Sequence, residues 1–102
     1  MALDFCIQNN HGVVLHKIAV GLDDFYDILE ISKTFNPPLS LISRLTDYYE
    51  DEEFFILELS ELKQQLLEVY VKSEEKIKVI QKLMLLCDLA VLYNTTIKVI
   101  SD

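Results

Sequence analysis

Apolar residues recur along residues 73–93 at alternating three- and four-residue steps, through Ile77, Ile80, Met84, Cys87 and Val91, which is the period of a helix. A second stripe of Val79, Leu83, Leu86, Ala90 and Tyr93 runs beside the first, and between residues 83 and 93 only Asp88 is charged. A helix apolar almost all round is expected to be buried on more than one side. About 20 helical residues reach roughly 30 Å, the width of a small domain, so the rest of the chain is expected to pack around this element. Ser73 reads as its N-cap, Glu74 and Glu75 suit the positive end of its dipole, and Asn94 is a left-handed terminator.

The N-terminal pattern has period two. Leu3, Phe5 and Ile7 alternate with Asp4, Cys6 and Gln8, predicting a half-buried strand, and residues 9–12 (Asn-Asn-His-Gly) supply hairpin-turn chemistry. A second strand over residues 13–20 follows, with Val14, Ile18 and Val20 on one face beside His16, and Gly21 ends it. The short connection makes the two strands antiparallel neighbours. At the other end, residues 95–100 are rich in β-branched side chains and predict a last strand beside one member of the hairpin.

Between these ends the helical period returns. Residues 22–24 open a helix with Asp23 and Asp24 in its first turn, Phe25, Ile28, Leu29, Ile31 and Phe35 form its buried side, and Asn36-Pro37-Pro38 stops it. Leu39, Ile42 and Leu45 predict a short helical turn with Ser40 and Arg44 facing outward. Leu59, Leu62, Leu66 and Val69 mark a further helix ending near Val71 or Lys72, while the period of residues 54–57 fits both a short strand and the entry to that helix. The order predicts one α+β domain over residues 1–102: a small antiparallel sheet, made of the N-terminal hairpin plus the C-terminal strand, with three to four helices on one face.

Composition changes this picture in one respect. The chain has 102 residues, 51% of them hydrophobic, enough for one core. Its net charge is -8, and residues 47–61 alone hold seven carboxylates with no lysine or arginine. That concentration argues against nucleic acid, whose recognition needs cations, and for a basic partner. Lys82 and Asp88 interrupt the longest apolar run well short of the roughly 18 residues of a membrane span, and residues 1–10 lack the basic region of a signal peptide. A cytoplasmic location is the resulting expectation.

Catalytic motifs are missing from the sequence. It has no glycine-rich phosphate loop, Gly-x-Ser-x-Gly, His-Glu-x-x-His or calcium loop, so neither an enzyme nor a cofactor or metal site is expected. His11 falls in the turn, and His16 reads as a partly buried strand histidine rather than a base. Cys6 and Cys87 read as buried thiols, because zinc sites usually show a close ligand pair that Cys6, His16 and Cys87 lack.

The acidic run Asp47, Tyr48, Tyr49, Glu50, Asp51, Glu52 and Glu53 is therefore the candidate partner-binding segment. Read plainly, it is a solvated, solubilising loop too charged to be buried. A divalent-cation site from Asp47, Asp51 and Glu53 would need their oxygens to converge. The adjacent tyrosines favour protein binding, since they place amphipathic rings among carboxylates that steer a cation. One ring is expected to fold inward onto Leu45 or Phe54. A different expectation, self-association as a homodimer or larger assembly, rests on the apolar sector of residues 83–93 exceeding what one small domain can cover.

Residues 42–51 (Ile-Ser-Arg-Leu-Thr-Asp-Tyr-Tyr-Glu-Asp), then Glu58-Leu59 and a helix, then a long helix closed by residues 97–102 (Ile-Lys-Val-Ile-Ser-Asp), form a layout spanning most of the chain. In that layout the chain resembles the small acidic immunity-type proteins encoded beside bacterial polymorphic or contact-dependent toxins. The resemblance implies a cytosolic antidote that binds a cognate toxin domain, often a basic nuclease, and occludes its active site, with Asp47, Tyr48, Tyr49, Glu50 and Asp51 in contact.

Overall fold

A computed structural model describes residues 3–45 and 51–101 of the chain. The period-two segments form a four-stranded antiparallel sheet from β1 (Leu3–Gln8), β2 (Val14–Val20), β3 (Glu52–Phe54) and β4 (Ile97–Ser101), in the order β2-β1-β4-β3. Leu3 pairs with Val20, Phe5 with Ile18 and with Val99, and Ile7 with His16, so residues of one parity line one face. Leu3, Phe5, Ile7, Val20, Ile97 and Val99 on that face are buried under helices, whereas Ala19, Lys98 and Ile100 on the other are exposed. At the hairpin the Asn9 carboxamide oxygen accepts from the N–H groups of His11 (2.9 Å) and Val13 (3.0 Å). Gly12 takes the left-handed φ of 77° that the turn requires.

The covering layer is α1 (Leu22–Ser32), α2 (Leu59–Lys72) and α3 (Val79–Leu92). The α+β class and the placement of the last strand beside the hairpin agree with the sequence pattern. The fourth strand does not: β3 lies within the acidic run and pairs with β4, Glu53 opposite Lys98 and Phe54 opposite Ile97. Both expectations for residues 54–57 hold in part, since Phe54 closes β3 and Ile56–Glu58 is a 3-10 turn leading into α2.

The C-terminal helix is shorter than its apolar stripe. Ser73 ends α2 instead of starting α3: its backbone is extended (ψ 129°), and its hydroxyl donates to the Tyr70 carbonyl at 2.7 Å. Lys76, at φ 52°, donates from Nζ to the Val71 carbonyl at 2.8 Å, a cation at the negative end of α2. Residues 74 and 75 therefore sit in a turn. Nor is α3 buried all round. Ile80, Leu83, Leu86, Cys87 and Ala90 face the core, while Leu85, Val91 and Leu92 face outward, Leu92 with 75% of its surface exposed. Asn94 does terminate it in the left-handed region, at φ 54°. In α1 the helix stops at Ser32, before the proline pair, and the hydroxyls of Ser32 and Thr34 donate to the carbonyls of Leu29 (2.7 Å) and Ile31 (2.6 Å) at its end.

The middle of the chain is tied down from α2. The 3-10 turn Ile42–Arg44 lies over Gln65, a buried amide whose oxygen holds the turn's first N–H groups. Phe54, Leu59, Leu62 and Ile42 pack in the same core as the sheet face, so this turn and β3 are fixed to the body by apolar contact as well as by hydrogen bonds.

Candidate functional site

Of the seven residues singled out by charge, Asp47, Tyr48, Tyr49 and Glu50 lie outside the described residues. Asp51, Glu52 and Glu53 lead into and form the edge strand β3, and each carboxylate has a partner. Asp51 Oδ1 accepts from the Ser101 N–H at 3.0 Å, and Glu53 Oε1 accepts from the Thr96 hydroxyl at 3.1 Å. Glu52 accepts from Arg44 Nη2 at 2.8 Å. Asp51 is exposed and Glu52 and Glu53 are half-buried, so none of the three is buried, but the run is not the freely solvated loop its charge suggested. Strand pairing to β4 and one arginine account for it.

Arg44, expected to face outward, is the centre of this region. Its Nη1 donates to Glu58 Oε2, its Nη2 to Glu52 Oε1 and, at 2.7 Å, to the Glu53 carbonyl, and its Cζ lies 4.9 Å from the centre of the Phe54 ring. The planar fork of an arginine suits this arrangement, because one group reaches two carboxylates and a carbonyl while stacking on an arene. The Glu52 carboxyl is held below its ordinary range, chiefly by the Arg44 hydrogen bond, against the opposing effect of burial. The Arg44 guanidinium is correspondingly pushed up, first by the hydrogen bond to Glu52.

Glu58 also folds back on the chain that precedes it. Its Oε1 accepts from the Phe55 N–H at 3.0 Å, and its own N–H donates to the Phe55 carbonyl at 2.8 Å. The reciprocal bonds lock the 3-10 turn between β3 and α2 and direct its apolar side chains outward. Phe55 is 55% and Leu57 96% exposed, with Ile56 between them also open to solvent. Fully exposing a leucine forgoes roughly 2 kcal/mol of burial. What results is a rigid apolar knuckle beside the acidic segment, held by Arg44 and Glu58 but with nothing covering it among the described residues. Periodicity did not identify it, because Phe55, Ile56 and Leu57 read as core in any one-dimensional pattern; only the capping bonds of Glu58 turn them out.

The remaining candidates separate. His16 is exposed rather than partly buried, with Tyr93 stacked on it at 6.2 Å between ring centres. Cys6 pairs with Lys17 and Lys98 on the open face of the sheet, whereas His16 pairs with Ile7 on the helix face, so their side chains diverge. Among the described residues no three His, Cys, Asp or Glu side chains come together to hold a metal. Lys63 and Asp88 form an ion pair of 2.8 Å linking α2 to α3. No helix of the described residues is long and apolar enough to cross a membrane. Comparison with family models, with curated proteins and with solved structures finds no match.

Proposed function

We propose that the chain is a non-enzymatic protein-binding module whose contact surface is the Arg44-clamped knuckle together with the acidic segment beside it. The observation that carries this reading is the exposure of Phe55, Ile56 and Leu57 on a turn locked at both ends by Glu58. Preorganised apolar side chains lose little entropy on binding, and they serve as anchors when a partner covers them. The partner class is a basic protein, because the chain carries a net charge of -8 and its carboxylates steer association. The resemblance to immunity-type proteins makes that partner a toxin domain, with Asp47, Tyr48, Tyr49 and Glu50 contacting it beside Asp51.

The test is inhibition of a basic enzyme captured by the chain in a pull-down from its native host. An equimolar amount of the chain is expected to abolish its activity, and Leu57→Asp to raise the amount needed by about tenfold or more. Full enzyme activity in the presence of excess chain would overturn the reading.

A second reading, self-association, is favoured by the outer face of α3, where Leu85, Val91 and Leu92 are exposed. The one carboxylate on that helix, Asp88, is paired with Lys63, so two copies can approach there without facing unpaired acids. Light scattering decides it: a dimer that Leu92→Asp dissociates supports the reading, and a monomer at every concentration removes it.

A further inference from the structure

Among the described residues, carboxylates without any partner lie away from the acidic run. Asp51, Glu52, Glu53 and Glu58 all have hydrogen-bond partners. By contrast Asp27 on α1 and Glu74 and Glu75 in the turn after α2 make no ion pair or hydrogen bond among the described residues, and Glu30 pairs only with exposed Lys33 at 3.6 Å. These four carboxylates line an open hollow of about 400 Å³ between α1 and the end of α2. Beside it runs an apolar groove of about 410 Å³ whose walls are Phe35, Leu67 and Val71. The two share Lys72 as a wall, and its Nζ lies 4.6 Å from the centre of the Phe35 ring instead of on any of the carboxylates.

We propose that this groove is a docking surface for a cationic amphipathic helix of a partner protein, separate from the knuckle and not dependent on it. Leu67 and Val71 are one turn apart on the outer face of α2, and Val71 is 64% exposed. A helix laid across them would place apolar residues at three- and four-residue spacing against Leu67, Val71 and Phe35. Its lysines or arginines then fall over the adjoining hollow, where Asp27, Glu74 and Glu75 lack cations. Charge complementarity selects this occupant. An acidic or neutral helix would leave those carboxylates uncompensated, and an extended strand has nothing to pair with, since both sheet edges, β2 and β3, belong to other parts of the surface.

The probe is a fluorescent synthetic peptide of about 16 residues, long enough to form a helix on binding, with leucines at i, i+3, i+4 and i+7 and lysines elsewhere. A control peptide has the same composition with its leucines scattered round the helix. Titrated with the full chain and followed by anisotropy, the amphipathic peptide is expected to bind about tenfold or more tightly than the control. Val71→Asp is expected to weaken it by a similar factor, and Glu74→Gln with Glu75→Gln to weaken it and flatten its salt dependence. Val71 is a surface residue, so the variant should keep the wild-type circular dichroism; if it does not, Leu67→Asn serves instead. Equal binding of the two peptides would mean attraction by net charge alone and would overturn the proposal. So would absence of binding, or unchanged affinity in the groove variant.

Discussion

The Gln65 side-chain oxygen accepts the backbone N–H of Leu41 at 2.9 Å, tying α2 to a turn 24 positions earlier in the chain. The same oxygen accepts from Ile42 at 3.2 Å, while Nε2 donates to the Ser40 hydroxyl and to Glu61, each at 3.2 Å. With 3% of its surface exposed, this amide uses its donors and acceptor to cap the 3-10 turn that carries Arg44. Gln65→Leu would leave the two N–H groups buried without an acceptor, at about 1–3 kcal/mol. Urea denaturation is expected to show a midpoint lowered accordingly, with an unchanged slope. A variant as stable as wild type would show that water replaces the amide.

Arg44 acts on the knuckle through geometry as much as charge. Arg44→Lys keeps the charge, but an ammonium cannot span Glu52, Glu58 and the Glu53 carbonyl at once while lying flat on Phe54. Lysine is therefore expected to recover little of the stability lost in Arg44→Ala, about 1–2 kcal/mol after allowance for partial exposure of the three side chains. A double-mutant cycle of Arg44→Ala with Glu58→Gln should show coupling of about 0.5–2 kcal/mol. Additive effects would mean that Phe54 packing, not the ion pair, is what Arg44 contributes.

Periodicity was enough for β1, α1, α2 and β4, where the spacing of Leu3, Phe5 and Ile7 or of Leu59, Leu62 and Leu66 records the buried face, and for β2 the hairpin turn placed a strand of which only Val20 is buried. It failed where long-range hydrogen bonds overrule local composition. Glu52 and Glu53 read as loop because charge disfavours a strand, yet Val99 and Lys98 of β4 pair with them and Arg44 offsets the carboxylate of Glu52. The apolar stripe of residues 73–93 runs past the true start of α3, since Ile77 and Val79 pack on the core from either side of the helix boundary. For the candidate site, the concentration of acids singled out residues 47–53 but gave none of the partners that Asp51, Glu52 and Glu53 find in the fold. Asp27 and Glu74 are 47 positions apart, and only the fold brings them to one hollow.

Acid should loosen the β3 edge through Glu52. Its folded pKa lies below the usual carboxylate value because Arg44 hydrogen-bonds the ionised form. Above about pH 4.3 both folded and unfolded chains carry the charge, and the stabilisation is complete. Below that the unfolded chain takes up its proton first, so the contribution drains away as pH falls through the depressed folded value. Glu52→Gln should therefore be less stable than wild type at neutral pH, and the gap should close in acid. Urea midpoints across that range provide the check. A gap independent of pH would mean that the charge of Glu52 contributes nothing.

The two thiols should differ in how they become reactive. Burial pushes the Cys87 thiol up to about 12, with Asp88 adding to the effect and Lys63 opposing it. An unfolded cysteine ionises near 8.5, so between about 8.5 and 12 the unfolded chain releases a proton that the folded chain keeps, and stability falls as pH rises through that window. Cys6 is also raised, first by burial and then by Asp4, but it pairs across the sheet with Lys17 and Lys98, whose charges oppose the shift. Cys6 is buried on a sheet face where Ala19, Lys98 and Ile100 are exposed, whereas Cys87 lies in the core between the helices and the sheet. Alkylation by iodoacetamide at about pH 8, read site by site by mass spectrometry, is expected to modify Cys6 first. The Cys87 rate should rise with urea in parallel with the unfolded fraction. Equal rates at the two sites without denaturant would show that α3 opens locally, and its packing against Leu62 and Leu66 would then be weaker than the burial of Leu83, Leu86 and Ala90 implies.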